Sequence, residues 1–197
     1  MSEAVAALAL LAALAQEPAA APNPPAPAPS VAPPAAPEAT LTTEEGEIVI
    51  RLLPELAPRH VAHFVATAKR GGYDGTAFHR VILGGIIQGG DPLSKDPAQA
   101  ARYGTGGLGL LEAEFSDRPF ARGTVAAARR PSSKDSGGSQ FFICLSDQPS
   151  LLGQYTIFGE VVSGIEVADR IAQTPADGDK PRSRVELKRV VVREPAR

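Results

Sequence analysis

Only one cysteine, Cys144, one methionine and no tryptophan occur in the 197 residues. A lone cysteine excludes an intramolecular disulfide and any cysteine-based zinc cluster. Neither sign of charge dominates: 20 Lys and Arg stand against 22 Asp and Glu, a net charge of −2. That balance gives no general electrostatic case for nucleic acid or an anionic membrane as partner. The apolar run at residues 4–15, AVAALALLAALA, has 12 residues. A helix needs about 20 to cross a bilayer, so no stable membrane insertion is expected. The run does suit the apolar region of an export signal, with Ala13-Leu14-Ala15 as a small-residue cleavage site. Met1-Ser2-Glu3, however, lacks the usual basic residue. Residues 1–16 therefore read either as a signal peptide, which makes the protein periplasmic or secreted, or as an apolar tail on a cytoplasmic protein.

Proline is plentiful but unevenly placed. Residues 17–39 hold 9 of the 19 prolines beside 9 alanines. Proline removes backbone donors and clashes with a preceding helical turn, and this segment has little to bury. It reads as a disordered Pro/Ala-rich linker, extended as polyproline II at about 3.1 Å per residue. Residues 40–197 carry all 20 basic residues and form the one globular domain.

Within that domain, Leu41–Thr43 and Ile48–Leu53 flank Glu44-Glu45-Gly46-Glu47, a hairpin signature. Pro58 suits a first helical position. Val61, Phe64, Val65 and Ala68 then recur on one helical face until Gly71-Gly72. A second helix is expected from Ser163, where Ser163-x-x-Glu166 has the form of a capping box, with Ile165, Ala168, Ile171 and Ala172 on one face. Further β-rich runs lie at Phe78–Ile82, Ile86–Gln88, Thr124–Ala127, Gln140–Leu145, Tyr155–Val162 and Val185–Val192. Eight strand candidates and two helices without βαβ alternation predict a mainly β fold. The expected form is a closed eight-stranded antiparallel barrel capped by two α-helices.

Five motifs narrow this further: Phe78-His79-Arg80-Val81-Ile82, Ile87-Gln88-Gly89-Gly90-Asp91-Pro92, Gly104-Thr105-Gly106-Gly107, Ser139-Gln140-Phe141-Phe142-Ile143 and Tyr155-Thr156-Ile157-Phe158-Gly159. In order and spacing they resemble the cyclophilin family, from about Leu41 to Val192. The resemblance implies an eight-stranded barrel with two helices. It also implies a peptidyl-prolyl cis-trans isomerase that assists protein folding without a cofactor or metal. Its partners are then proline-containing polypeptides, and it is expected to act as a monomer.

That chemistry sets requirements of its own. Rotation about Xaa-Pro meets a barrier of about 20 kcal/mol because the C–N bond has double-bond character. No covalent bond breaks, so a catalyst must bind the twisted amide better than either planar form. An arginine suits this, being always charged and offering a rigid fork of donors. The resemblance makes Arg80 that residue, with Gln88 binding substrate or holding Arg80, and Phe142 the floor of the proline socket. Strand alternation points Phe141 and Phe142 to opposite faces, and the resemblance makes Phe141 the core residue. Ile86, Leu151 and Tyr155 match the socket wall, Ala128 a backbone position beside the bound peptide, and Thr105 and Gly106 the loop bordering the residue before proline. Phe78 and Gln140 are also carried over as substrate-binding residues.

Two positions depart from the family pattern: Gly85 stands where a socket Phe is expected, and Ser150 where many members have an aromatic. An aromatic side chain buries about 150–250 Å². Its loss weakens the socket and predicts weak cyclosporin binding. It also leaves open a second reading of the chain, as a proline-peptide-binding or chaperone-like module with little or no isomerase activity.

Other signals carry less. Gly104–Gly109 matches GxGxxG but lacks the preceding strand and following helix of a dinucleotide site. His60 and His63, three apart, do not make a zinc pair and read as surface or edge residues. His79 reads as structural, and Cys144 as a buried, inert thiol.

Overall fold

The computed structural model describes residues 36–194. The apolar segment 1–16 and most of the Pro/Ala-rich run lie outside the described residues. The first strand, β1 (Glu38–Thr43), begins two residues before the expected start of the domain at residue 40. The cause is pairing on both sides: Glu38 stands opposite Arg51 and also opposite Arg193, and Ala39 is fully buried. β2 (Glu47–Leu52) returns through the expected hairpin, where Gly46 has φ 130°, a value that favours glycine. Helix α1 (Pro58–Lys69) starts with proline in its first turn, as the sequence predicts.

The run expected as one strand at Phe78–Ile82 is broken at His79 into β3 (Thr76–Phe78) and β4 (Arg80–Val81). β5 (Ile86–Gly89), β6 (Thr124–Ala127), β7 (Phe141–Cys144) and β8 (Ile157–Ser163) follow. Then come helix α2 (Ile165–Ala172), the short hairpin β9 (Ala176–Asp177) and β10 (Lys180–Pro181), and the long β11 (Val185–Arg193). The main sheet has the order β3-β11-β1-β2-β8-β6-β7-β5-β4, and every pair is antiparallel. Its two end strands are consecutive in the chain and joined by His79 alone. One continuous segment thus pairs with β11 through its first half and with β5 through its second. Counted as one, these halves give the eight strands expected, and the ladder closes on itself.

The pleat sorts side chains into two clusters. Phe141 and Ile143 of β7, with Val125 and Ala127 of β6, join the barrel interior. Phe142 and Cys144, with Ala126 and Ala128, form a second cluster on the outer face. Helix α1 sends Phe64 into the interior, where its ring centroid lies 4.8 Å from Tyr73, 5.9 Å from Phe141 and 5.4 Å from Phe158. Val167, Ala168, Ile171 and Ala172 of α2 add to the same core.

Two expectations need correction. Ser163 does not cap α2; it is the last residue of β8, and Gly164 is the N-cap at φ 83° with no side-chain cap. The chain reverses there so tightly that a Cβ on Gly164 would collide with the backbone of Glu47. His60 is not a surface residue but 3 % exposed. Its Nδ1 lies 2.6 Å from Glu114, whose carboxylate also accepts the backbone N–H groups of Arg59 and His60. Glu114 thereby caps α1 from a loop 54 residues away. Burial raises its pKa, but the His60, Arg59 and backbone bonds outweigh this and hold the carboxyl below its usual range.

Candidate active site

Ladder register builds the site. Arg80 of β4 stands opposite Gln88 of β5, Gln88 opposite Phe142 of β7, and Phe142 opposite Ala126 of β6. These four residues form one row across four adjacent strands. At about 4.8 Å per strand, Arg80 and Phe142 start roughly 10 Å apart. Around Phe142 pack Ile86, Leu151 and Tyr155, each half-buried, so three of the expected wall residues do meet at one place. The Tyr155 ring meets Phe142 edge-on at 5.2 Å, and the Arg129 guanidinium lies 4.8 Å above Tyr155. Arg129 was missed in the sequence because its part depends on a ring 26 residues away.

Arg80 is not held by Gln88. Its Nε donates to Asp179 Oδ2 at 2.7 Å, and the guanidinium has no other acceptor among the described residues. The Arg80 hydrogen bond holds the Asp179 carboxyl below the usual range. Asp179 sits in the turn between β9 and β10, and its carbonyl also accepts from Val81 N–H at 2.8 Å. Asp177-Gly178 hinted at a turn, but only the fold carries it the 99 residues back to Arg80. Gln88 instead donates to Gln140 at 3.0 Å, and Gln140 donates to the Gly106 carbonyl at 2.6 Å. This relay ties the row to the Gly104–Gly107 loop.

That loop explains the GxGxxG match. The amides of Gly104 and Gly106 donate to the fully buried Asp91 carboxylate, at 2.5 and 3.3 Å, so they are spent within the chain. A Cβ on Gly106 would collide with Asp91. Thr105 is exposed and donates to the Arg102 carbonyl. Ala128 is buried and its N–H donates to Gln140 O at 2.9 Å.

Phe78 is placed differently from the expectation. It is 1 % exposed and belongs to the barrel interior, where it meets Phe141 edge-on, because β3 turns it inward. It supports the strand that bears Arg80 and is absent from the cluster around Phe142. At Gly85, any side chain would meet Ile82 Cγ2 at 2.7 Å, so Ile82 stands against the space an aromatic would need. Ser150 is exposed in the short 3-10 turn that delivers Leu151. Burial pushes the Cys144 thiol up to about 12, and burial also lowers the His79 pKa. Among the described residues no group of three His, Cys, Asp or Glu side chains could hold a metal. A cavity of about 500 Å³ opens beside the row, with Arg80 and Gln88 in its wall.

Residues 39–192 match the family model described as cyclophilin type peptidyl-prolyl cis-trans isomerase/CLD. The chain belongs to the cyclophilins. A probable peptidyl-prolyl cis-trans isomerase of Brucella suis is 46% identical over 136 residues, 66% of this chain and 69% of that protein. A peptidyl-prolyl cis-trans isomerase of Arabidopsis thaliana is 38% identical over 160 residues, 78% of this chain and 94% of its own length. Among solved structures, a Cryptosporidium parvum cyclophilin, crystallised in the presence of the dipeptide Ala-Pro, superposes with a TM-score of 0.71 at 30% identity. That match covers 80% of this chain and 99% of the other. This cyclophilin is a peptidyl-prolyl cis-trans isomerase, and nothing in its fold or its relatives favours a module without activity.

Proposed function

We propose that the Arg80–Gln88–Phe142 row performs the isomerisation. The proline ring lies against Phe142, between Ile86, Leu151 and Tyr155. The residue before proline passes Ala128 and the Thr105–Gly106 loop. Arg80 keeps its terminal nitrogens for the substrate, because Asp179 takes only Nε. Their positive charge stabilises the amide as it twists and loses resonance, an effect absent from both planar forms. Gln140 and Gln88 fix the distance between the Arg80 side of the row and the 104–107 loop. The observation that carries this reading is the strand register, which puts one cation, one amide and one apolar ring in a single row. The substrates are proline-containing polypeptides, the enzyme is a monomer, and its work is outside the cytoplasm, in the periplasm or secreted. The last point rests on the apolar 4–15 segment, and N-terminal sequencing of exported protein checks it.

Chemical-shift mapping with an Ala-Pro peptide tests the site. The reading expects the largest shifts at Phe142, Ile86, Leu151 and Tyr155. Shifts confined to another face of the barrel would overturn it.

A further inference from the structure

The cavity of about 500 Å³ is not the proline socket. Neither Phe142 nor Tyr155 lines it. It continues the row on the other side of Arg80, where β4 gives way to the β9–β10 turn and the chain that follows. Its lining includes apolar residues such as Ala100 and Pro181, and its charged members are mostly basic: Arg80, Lys180, Arg182 and Arg184 against one carboxylate, Asp179. Asp177 and Glu186 stand behind Arg182 and Arg184, at 2.8 and 3.6 Å, and even with both counted the positive charges outnumber the negative. The Lys180 ammonium is exposed and makes no close ion pair or hydrogen bond among the described residues, although its charge helps lower the Asp179 pKa. The Arg80 and Arg182 pairs are exposed, and pairs of that kind hold their partners weakly, so an incoming carboxylate can share these two cations. Arg184 donates to the Ser94 and Gly75 carbonyls and adds its charge to the rim from there.

We propose that this cavity is a second substrate subsite, selective for an acidic side chain of the polypeptide whose proline lies on Phe142. The inference rests on the row described above, because the shared wall of Arg80 and Gln88 makes the two sites contiguous. Distance sets which residue enters. The roughly 10 Å between Arg80 and Phe142, at about 3.3–3.6 Å per extended residue, puts the acidic side chain two to four residues from the proline.

The test is two-dimensional NMR exchange on the full chain, using a neutral Ala-Pro peptide and a series with one Glu or one Lys two to four residues to either side. The expected result is a preference for Glu over Lys at one or more of these positions. At low salt it is roughly threefold to tenfold in kcat/KM and declines as salt is added. In the variant carrying Lys180→Ala and Arg182→Ala the Glu-to-Lys ratio falls toward one. The ratio is read within each enzyme, so a general loss of activity in the variant cancels. Equal rates for Glu and Lys peptides at every position would overturn the inference, as would a preference that survives in the double variant. Failure of the underlying row would look different: the neutral peptide itself would show no acceleration. In that event, affinities of the same Glu and Lys peptides from shift titration still decide whether the cavity selects acid.

Discussion

Replacing Asp179 by Ala removes the one side chain that holds Arg80 among the described residues. The two partners sit 2.7 Å apart with 42% and 43% of their side chains exposed. An ion pair this open contributes about 0–1 kcal/mol to folding. The melting temperature should therefore fall by no more than about 2–4 °C for a chain of this size. The effect on catalysis is larger, because a reacting group displaced by about 1 Å can cost up to a hundredfold. Arg80 keeps its place on β4, so the expected loss in kcat is roughly tenfold, or about 1.4 kcal/mol of barrier. KM should change little, since Phe142 and its neighbours are untouched. Asp179→Asn retains an acceptor oxygen and should recover most of the rate. The same pair sets a pH profile. The Asp179 pKa is depressed in the folded enzyme. Its contribution is thus fully present above the ordinary carboxylate value and is lost only as pH falls through the lower folded value. The rate should be flat across neutral pH and decline only in strong acid. NMR exchange with parallel thermal melts measures all of this. A variant with full kcat, or one whose loss of rate merely follows its loss of stability, would refute the reasoning.

Three further outcomes follow from the packing and the site. Phe64→Ala empties the centre of the barrel's aromatic group and should cost about 3–5 kcal/mol, read as a large drop in the circular-dichroism melt; a drop of only a few degrees would contradict the packing described. Cys144, with its thiol pushed up to about 12 by burial, should resist alkylation at neutral pH in the native state and react once unfolded. Cyclosporin should bind weakly, because Gly85 and Ser150 offer no aromatic contact, and calorimetry giving a sub-micromolar Kd would contradict this.

The strands were legible because their pattern is local. Phe141 and Phe142 fall on opposite faces as alternation requires, and it was the resemblance, not the spacing, that grouped Arg80, Gln88 and Phe142. The resemblance gave their roles, while the ladder register supplied their common row. What stayed hidden depends on distant contacts. Nothing near Arg80 in the chain announces Asp179, nothing near His60 announces Glu114, and both arrive on loops. Ser163 has the right neighbours for a cap, but β8 runs one residue too far for it. The break at His79 is equally silent locally, since it exists to let one strand pair with β11 and then with β5. Gln88 was expected to bind substrate or to hold Arg80; its amide instead donates to the buried Gln140, which in turn ties in the 104–107 loop, a contact between residues distant in the chain.

The most direct test of the account is exchange of a short Xaa-Pro peptide with the full chain and with Arg80→Ala. If Arg80 stabilises the twisted amide, the variant should lose about 100- to 1000-fold in rate, as when a transition-state donor is removed. Its melting temperature should stay within about 4 °C of the parent's, since Arg80 contributes only an exposed pair. Equal exchange by the two proteins would contradict the role given to Arg80 and to the row it belongs to.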